Sequence, residues 1–482
     1  MSIFNNNILA GAAAQSSGSA VYAIDQSIRF DDAAEHYMYS PAPSSSKSFT
    51  TTATISMWIK LGNIGQHYFA GAFYGSNARY DFFQINANNK LQASGRSGGA
   101  STATGSGVTK WITTQVFRDP SAWYHLIFVY DTTNAVQSER FRLYVNGERV
   151  TEFDTAPSYG ASELVYWFGK SSYTTLGAYY NQTGFADYFY WDGYMAEMHG
   201  VDGTALDQDS FGEFNSSGIW TPKEYTGSHG TDGFYIKGAD SSNLGINSAA
   251  NGNNFTLNAI SSHDQMADSP TNNFCVMSPI DQSSFTLSEG NLETAYGSNN
   301  STSGVKGTVG VSTGKWYWEG RRNVANVYHC PVAVASTEVS PTKLPPSNTP
   351  DNGGSTVGYW GTSLYKDGVA VQTGLGALTN GDIVGLALDL DSTPNTVTFT
   401  KNGSALGTAV SVTSGFTWTP CEGTNPTGYT ANVNTSHNFG QDGTMAGNIT
   451  AGGNSDANGI GNFKYSVPSG HLAVCTKNIG GD

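Results

Sequence analysis

Glu197 stands in Ala196-Glu-Met-His-Gly-Val-Asp202, a candidate strand that holds two carboxylates and a histidine. A retaining enzyme needs two carboxyl groups about 5 Å apart, which a strand supplies at alternate positions of one face. The second position after Glu197 is His199, and Asp202 falls on the opposite face, so the acid/nucleophile pair is absent. Glu197 reads instead as a sheet residue bonded to a neighbouring strand or to solvent. The 9 histidines are dispersed, with no HExxH and no pair four residues apart,. Ser and Asp are too abundant for a nucleophile triad to be picked out by spacing. The 4 cysteines, Cys275, Cys330, Cys421 and Cys475, form no CxxC or CxxH pair and read as free buried thiols,. No catalytic residue and no metal ligand set is assigned.

Aromatic residues supply the other chemistry. From Tyr159 to Tyr194 they crowd the chain, and in a strand Tyr188 and Tyr190 share one face while Phe189 and Trp191 take the other,. So dense a run cannot all be core. Tyr179, Tyr180, Tyr188, Tyr190 and Trp191 are therefore candidate ligand-binding residues, since flat rings suit the C–H faces of sugars,. The same rings suit a subunit interface, and the residues alone leave both readings open. Tyr359 and Trp360 end the Pro- and Gly-rich loop from Pro341 to Thr356, and Trp418 sits inside Ser414 to Tyr429. Long loops on a rigid scaffold often carry binding, so these three are added as candidates, the alternative being that they anchor their loops.

The elements that must position these groups are strands. Ala53, Ile55, Met57, Ile59 and Leu61 alternate with Thr54, Ser56, Trp58 and Lys60, the period-2 pattern of a strand with one face in a core,. Phe141-Arg-Leu-Tyr-Val145 runs into Asn146-Gly147, and Asn395-Thr-Val-Thr-Phe-Thr-Lys401 runs into Asn402-Gly403, so a strand and an Asn-Gly hairpin turn occur in each half,. Phe214 to Pro279 is rich in Asn, Ser and Gly and reads as a connector. Helical periodicity is almost absent, with Asp207–Phe214 the one short candidate. The pattern predicts an all-β chain of two sandwiches or jelly rolls.

The first half resembles the laminin-G and pentraxin-like branch of the concanavalin A-like lectin/glucanase fold. Phe49 to Lys60, Trp123 to Asp131, Leu143-Tyr-Val-Asn-Gly147 and Gly193-Tyr-Met-Ala-Glu-Met-His199 carry that resemblance. The second half looks like a SPRY-type sandwich, through Gly314-Lys-Trp-Tyr-Trp-Glu319, Gly381 to Leu390, Val397 to Gly403, Asn438-Phe-Gly440 and the closing Phe463 to Cys475. Together with Ile24 to Phe30, Trp220 to Gly227 and Asp268 to Phe274, the tandem looks like virion proteins of tailed phages, particularly marine ones. The resemblance implies two concanavalin A-like/jelly-roll β-sandwich domains in tandem joined by an irregular connector. Their bounds are residues 21–214 for the laminin-G-like sandwich, 215–278 for the connector and 279–482 for the SPRY-like sandwich. It also raises calcium, which laminin-G and pentraxin relatives often bind. Asp187, Asp192 and the turn at Asp240 offer oxygen ligands, but no EF-hand spacing, and solvated turn aspartates are the default reading,.

Charge and composition set the remaining bounds. The formal charge of -15 argues against nucleic acid and anionic membranes as partners,. No run of about 18 apolar residues occurs, so no transmembrane helix is expected. Residues 1–20 hold no Lys or Arg, carry an apolar patch at Ile8 and Leu9, and read as a docking arm,. The expectation is a non-enzymatic phage tail fibre or receptor-binding protein on the virion surface. It would bind host glycan, meet other virion proteins through the arm and assemble as a homotrimer. Two alternatives are a head fibre or capsid decoration protein and a secreted bacterial carbohydrate-binding module.

Overall fold

The computed structural model describes residues 22–41, 49–74, 79–95, 108–168, 172–181, 184–185, 190–250, 252–297, 302–324, 329–345, 349–424 and 433–480. The chain is nearly all-β, with two compact units that meet in sequence at Thr271 and Asn272. Described helical structure amounts to short 3-10 turns and the single α-turn Thr476–Ile479. The helix candidate at Asp207–Phe214 is one such turn, Gln208–Ser210, followed by the strand Gly212–Phe214.

In the first unit two eight-stranded antiparallel sheets face each other. One sheet runs Glu148–Arg149, Phe141–Val145, Trp123–Asp131, Thr52–Leu61, Gly193–Asp202, Ser27–Phe30 and Gln265–Met266, with Phe234–Ile236 also paired to Gly193–Asp202. We call it the covered sheet. The other, the open sheet, runs Phe153–Thr155, Val108–Val116, Lys90–Gly95, Arg79–Ile85, His67–Tyr74, Ser172–Leu176, Tyr37–Tyr39 and Thr256–Asn258. Ile55, Met57, Ile59 and Leu61 meet Phe69, Phe83, Leu91 and Trp111 in the core between them, as the alternation predicts.

The opposite face of Thr52–Leu61 departs from the expectation of a one-sided strand. Thr54, Ser56 and Lys60 are fully buried and Trp58 nearly so. The cause is the stretch read as a connector: residues 215–271 belong to the first unit and supply strands to both of its sheets. They lie over the covered sheet as a third layer held by charge and hydrogen bonds. Lys60 Nζ lies 2.6 Å from Asp268 Oδ2, with no exposed surface on either side chain. Trp123 Nε1 donates to the other Asp268 oxygen at 3.0 Å, and Arg29 Nη2 pairs with Asp264 at 3.0 Å. Buried ions persist only when paired and hydrogen-bonded, and these are.

The second unit is also a two-sheet sandwich. One sheet orders Met277–Gln282, Ser303–Gly307, Trp418–Thr424, His329–Ser336, Thr356–Trp360, Ser363–Lys366 and Val369–Gln372. The other orders Phe285–Ser288, Glu293–Tyr296, Val433–Asn438, Lys315–Val324, Ile383–Asp389, Thr396–Lys401 and Ser404–Ala405; Val410–Ser411 pairs with Thr396–Lys401 and Leu472–Ala473 runs parallel to Lys315–Val324. All four cysteines are free, buried and in this unit.

Candidate functional site

The central strands of the covered sheet are buried on both faces, whereas the outer face of the open sheet is partly exposed: Tyr37, Tyr39, Tyr68 and Gln92 are half-buried, and Thr175, Phe82, Gln84 and Ser94 on the same face are buried. Its residues follow from strand register. Thr256, Tyr39, Thr175, Gly71, Phe82 and Ser94 are successive partners across six strands and so stand in one row,. Tyr68, Gln84 and Gln92 form a second row beside it. Within each strand these residues alternate with core residues: Tyr37 and Tyr39 flank Met38, and Phe82 and Gln84 flank Phe83,.

Gly71 opens a trough in the first row. A Cβ at that position would lie 3.0 Å from Thr175 Oγ1, 3.1 Å from Cβ of Tyr179 and 3.2 Å from its Cα, so glycine lets Tyr179 cross the sheet here without displacing its neighbours,. The Tyr179 ring consequently sits 4.4 Å from that of Tyr68 and 4.7 Å from that of Phe82. Farther along, Tyr37 is stacked on Tyr190 at 6.0 Å and 12°, and Tyr39 is tilted against Tyr173 at 6.5 Å. Tyr37, Tyr39, Tyr68 and Tyr179 are half-buried, while Tyr173 is exposed. Amides border the rings. Gln66 Nε2 donates to Tyr68 Oη at 3.2 Å and to Gln84 Oε1 at 3.0 Å; Asn86 donates to Gln92, which donates to Ser94. Burial, with Tyr39 and Glu35 nearby, pushes the Tyr37 phenol up, so it stays a neutral donor and acceptor. His67 anchors the margin, its Nδ1 donating to the Tyr190 carbonyl at 2.9 Å; burial pushes its pKa down and keeps it neutral. The arrangement offers uncharged ring faces edged by directional hydrogen-bonding groups.

The sequence-based candidates fall variously. Tyr179 lies on this face. Tyr190 borders it but is only 7% exposed, and Trp191 is 0% exposed, packed in the core 5.8 Å from Phe69. Both are corrected as candidate ligand-binding residues, because neither offers an exposed ring: Trp191 enters the sandwich, where so large an apolar ring gains most from burial,. Tyr180 belongs to the short strand Tyr180–Asn181, and its side chain, like all of Tyr188, lies outside the described residues. In the second unit Trp418 is fully buried on a strand and Tyr359 is buried with its hydroxyl donating to the Gly376 carbonyl at 2.5 Å, so both anchor the sandwich. Trp360 is half-buried beside Tyr365 at 5.1 Å. Tyr37, Tyr39, Tyr68 and the glutamines escaped the sequence reading, although Tyr37-Met38-Tyr39 shows the period-2 signal in miniature.

Of the calcium candidates, Asp187 lies outside the described residues. Asp192 is fully buried against Gly62, where a Cβ would come within 2.6 Å of Oδ1. Asp240 accepts from the Ser242 amide and hydroxyl in an exposed turn. Among the described residues no group of three or more His, Cys, Asp or Glu is placed to hold a metal.

Glu197 occupies a β-bulge with φ of 48°, a strained backbone for a non-glycine residue,. Its carboxylate accepts from Tyr235 Oη at 2.7 Å and Tyr22 Oη at 3.0 Å, with His199 Nε2 3.4 Å away. Burial pushes this carboxyl up, but His199 and the two phenols outweigh it and hold the group below its ordinary value. A carboxylate held ionised is ill suited to protonate a leaving group.

Comparison with known proteins places these features. Residues 32–208 match the family described as the concanavalin A-like lectin/glucanases superfamily. No curated protein matches the chain. Among solved structures, the SPRY domain of human HERC1 is 20% identical, with 33% of this chain and 96% of that one covered, at a TM-score of 0.28. The heptameric SAP-like pentraxin of Limulus polyphemus is 15% identical, covering 39% of this chain and 80% of its own, at 0.29. A Bacteroides ovatus protein, provisionally described as carbohydrate binding, is 17% identical over 49% of this chain and 59% of its own, at 0.30. From its paired antiparallel sheets and the family match over residues 32–208, the first unit has the concanavalin A-like fold and is similar to that lectin/glucanase superfamily.

Proposed function

We propose that the chain is a non-enzymatic glycan-binding protein whose first unit grips saccharides on the tyrosine face of the open sheet. The observation that carries this reading is the pair of half-buried rings of Tyr68 and Tyr179, packed on the buried Phe82 and edged by the half-buried Gln66 and Gln92. Rings stack on sugar C–H faces and amides bond hydroxyls, so the face suits a neutral or weakly charged glycan. The low-pKa setting of Glu197 supports binding over hydrolysis. We place the protein on the surface of a tailed-phage particle as a tail fibre or receptor-binding protein, on the strength of the tandem motif order. In that setting it would be attached by residues 1–20 and present as a homotrimer, several copies compensating weak single sites. A glycan array probed with the purified chain tests the reading. Tyr68→Ala and Tyr179→Ala should each weaken binding by about 0.5–1.5 kcal/mol, roughly a few-fold to tenfold. Unchanged array signals for both folded variants, or turnover of a bound glycan, would overturn it.

A further inference from the structure

The second unit carries a polar patch of a different character, on the outer face of the sheet containing Glu293–Tyr296, Val433–Asn438 and Lys315–Val324. Glu293, Ser436 and Arg321 are successive register partners on these three neighbouring strands, so their side chains form one row. A β-bulge between Arg322 and Val324 interrupts the pairing beside it, and Asn323 turns onto the same face,. Asn323 Nδ2 donates to Ser436 Oγ at 2.8 Å and to Glu293 Oε2 at 3.4 Å, and it also contacts Asn434. Asn434 Nδ2 donates to Glu293 Oε1 at 2.8 Å, and Ser436 Oγ donates to Glu293 Oε2 at 3.2 Å. The carboxylate is thereby fixed in orientation while keeping lone pairs for further donors.

Arg321 is not matched in this way. Its Nη1 donates to Asn323, and among the described residues it forms no ion pair, although it is half-buried. Its Nε is buried and has no acceptor among the described residues. Buried donors without acceptors are uncommon in folded proteins, and a guanidinium is shaped for two parallel bonds to a carboxylate. Glu293, held off by Asn323, does not supply it.

We propose that this face binds an acidic saccharide, the sugar carboxylate on the Arg321 guanidinium and neighbouring hydroxyls bonding to Glu293 and Asn434. The site is separate in residues and ligand charge from the tyrosine face, so the two readings fail independently. A chain with formal charge -15 gains nothing from long-range attraction to a polyanion, so binding must come from the local geometry,.

Calorimetric titration of the full chain with trigalacturonate, with maltotriose as the neutral probe of equal length, tests the proposal. Trigalacturonate should bind through Arg321, whereas any maltotriose binding, which the tyrosine face can supply, should not depend on Arg321. Arg321→Gln should weaken trigalacturonate binding by about tenfold or more, Arg321→Lys by less, because charge without the planar fork restores only part of the contact. Asn434→Ala, a milder change at a half-exposed position, should cost several-fold and serves if Arg321→Gln lowers the melting temperature. Failure of trigalacturonate to bind, or full affinity for it in a folded Arg321→Gln or Asn434→Ala chain, would overturn the proposal.

Discussion

At Glu422 a carboxylate with no exposed surface is shared among His329, His437, Thr294 and Thr435, with His437 Nε2 at 2.9 Å and Thr435 Oγ1 at 3.0 Å. Burial pushes the carboxyl up, but His329 and His437 together hold it down to about 2. Burial likewise pushes the His329 pKa below its ordinary value, against the pull of Glu422. Both signs point the same way. A depressed carboxyl contributes stability above its unfolded value and loses it as pH falls from about 4.5 toward about 2,. A depressed imidazole leaves the unfolded chain binding more protons once pH drops below about 6.5. The urea midpoint of the second unit should therefore fall steadily on acidification. Glu422→Gln should lower stability near neutrality by about 1.5–3 kcal/mol and flatten the dependence between about pH 4.5 and 2, because the donors around it lose the anion they bond. This cluster was hidden in the sequence: Trp418–Thr424 contains Pro420, Glu422 and Gly423, residues that read as a loop but here form a central strand.

At the scale of elements, the two Asn-Gly turns adopt the left-handed backbone their composition predicts, with φ of 49° and 80° at Asn146 and Gly147 and 50° and 79° at Asn402 and Gly403. Their surroundings differ. A Cβ on Gly147 would sit 2.2 Å from the Trp220 ring, which is buried and fixed by donation to His125 Nδ1 at 2.9 Å. On Gly403 the nearest atom is 2.7 Å away in Tyr465, a half-exposed ring that can move. Gly403→Ala should cost about 1 kcal/mol for the backbone alone, and Gly147→Ala about 2–4 kcal/mol because overpacking is added, as read by thermal unfolding. Long strands such as Thr52–Leu61 and their turns were legible because alternation over ten residues has few other readings. Trp220–Pro222, Phe234–Ile236 and Thr256–Asn258 are three residues each, too short to show a period, and the last two pair with strands far away in sequence. The site failed to be legible for the same reason: Tyr37, Tyr68, Phe82 and Tyr179 converge only through register between remote strands.

For the whole molecule, the third layer decides where the chain can be cut. A fragment ending at residue 214 would lack Asp268 and Asp264, the partners of Lys60, Trp123 and Arg29, and the strands Phe234–Ile236 and Gln265–Met266, leaving a sheet face that is buried in the whole unit open to solvent,. A fragment spanning 22–271 keeps every one of these pairs. The longer fragment should be soluble and unfold in one cooperative transition, whereas 22–214 should aggregate or bind a hydrophobic dye. Cooperative unfolding of 22–214 at the temperature of the longer fragment would show that the layer is ornamental.

The confinement of all four cysteines to the second unit has a practical corollary. The first unit contains no sulfhydryl at all, and burial pushes the thiols of Cys330, Cys421 and Cys475 up, that of Cys475 to about 12. Alkylation by a maleimide is thus a clock that runs only when the second unit opens. In mild urea, mass spectrometry should find chains carrying either no label or all four, with intensity exchanging directly between the two populations. The intact protein would then report on one of its halves by mass while tryptophan emission reports on both, so the order in which the halves unfold becomes measurable without separating them.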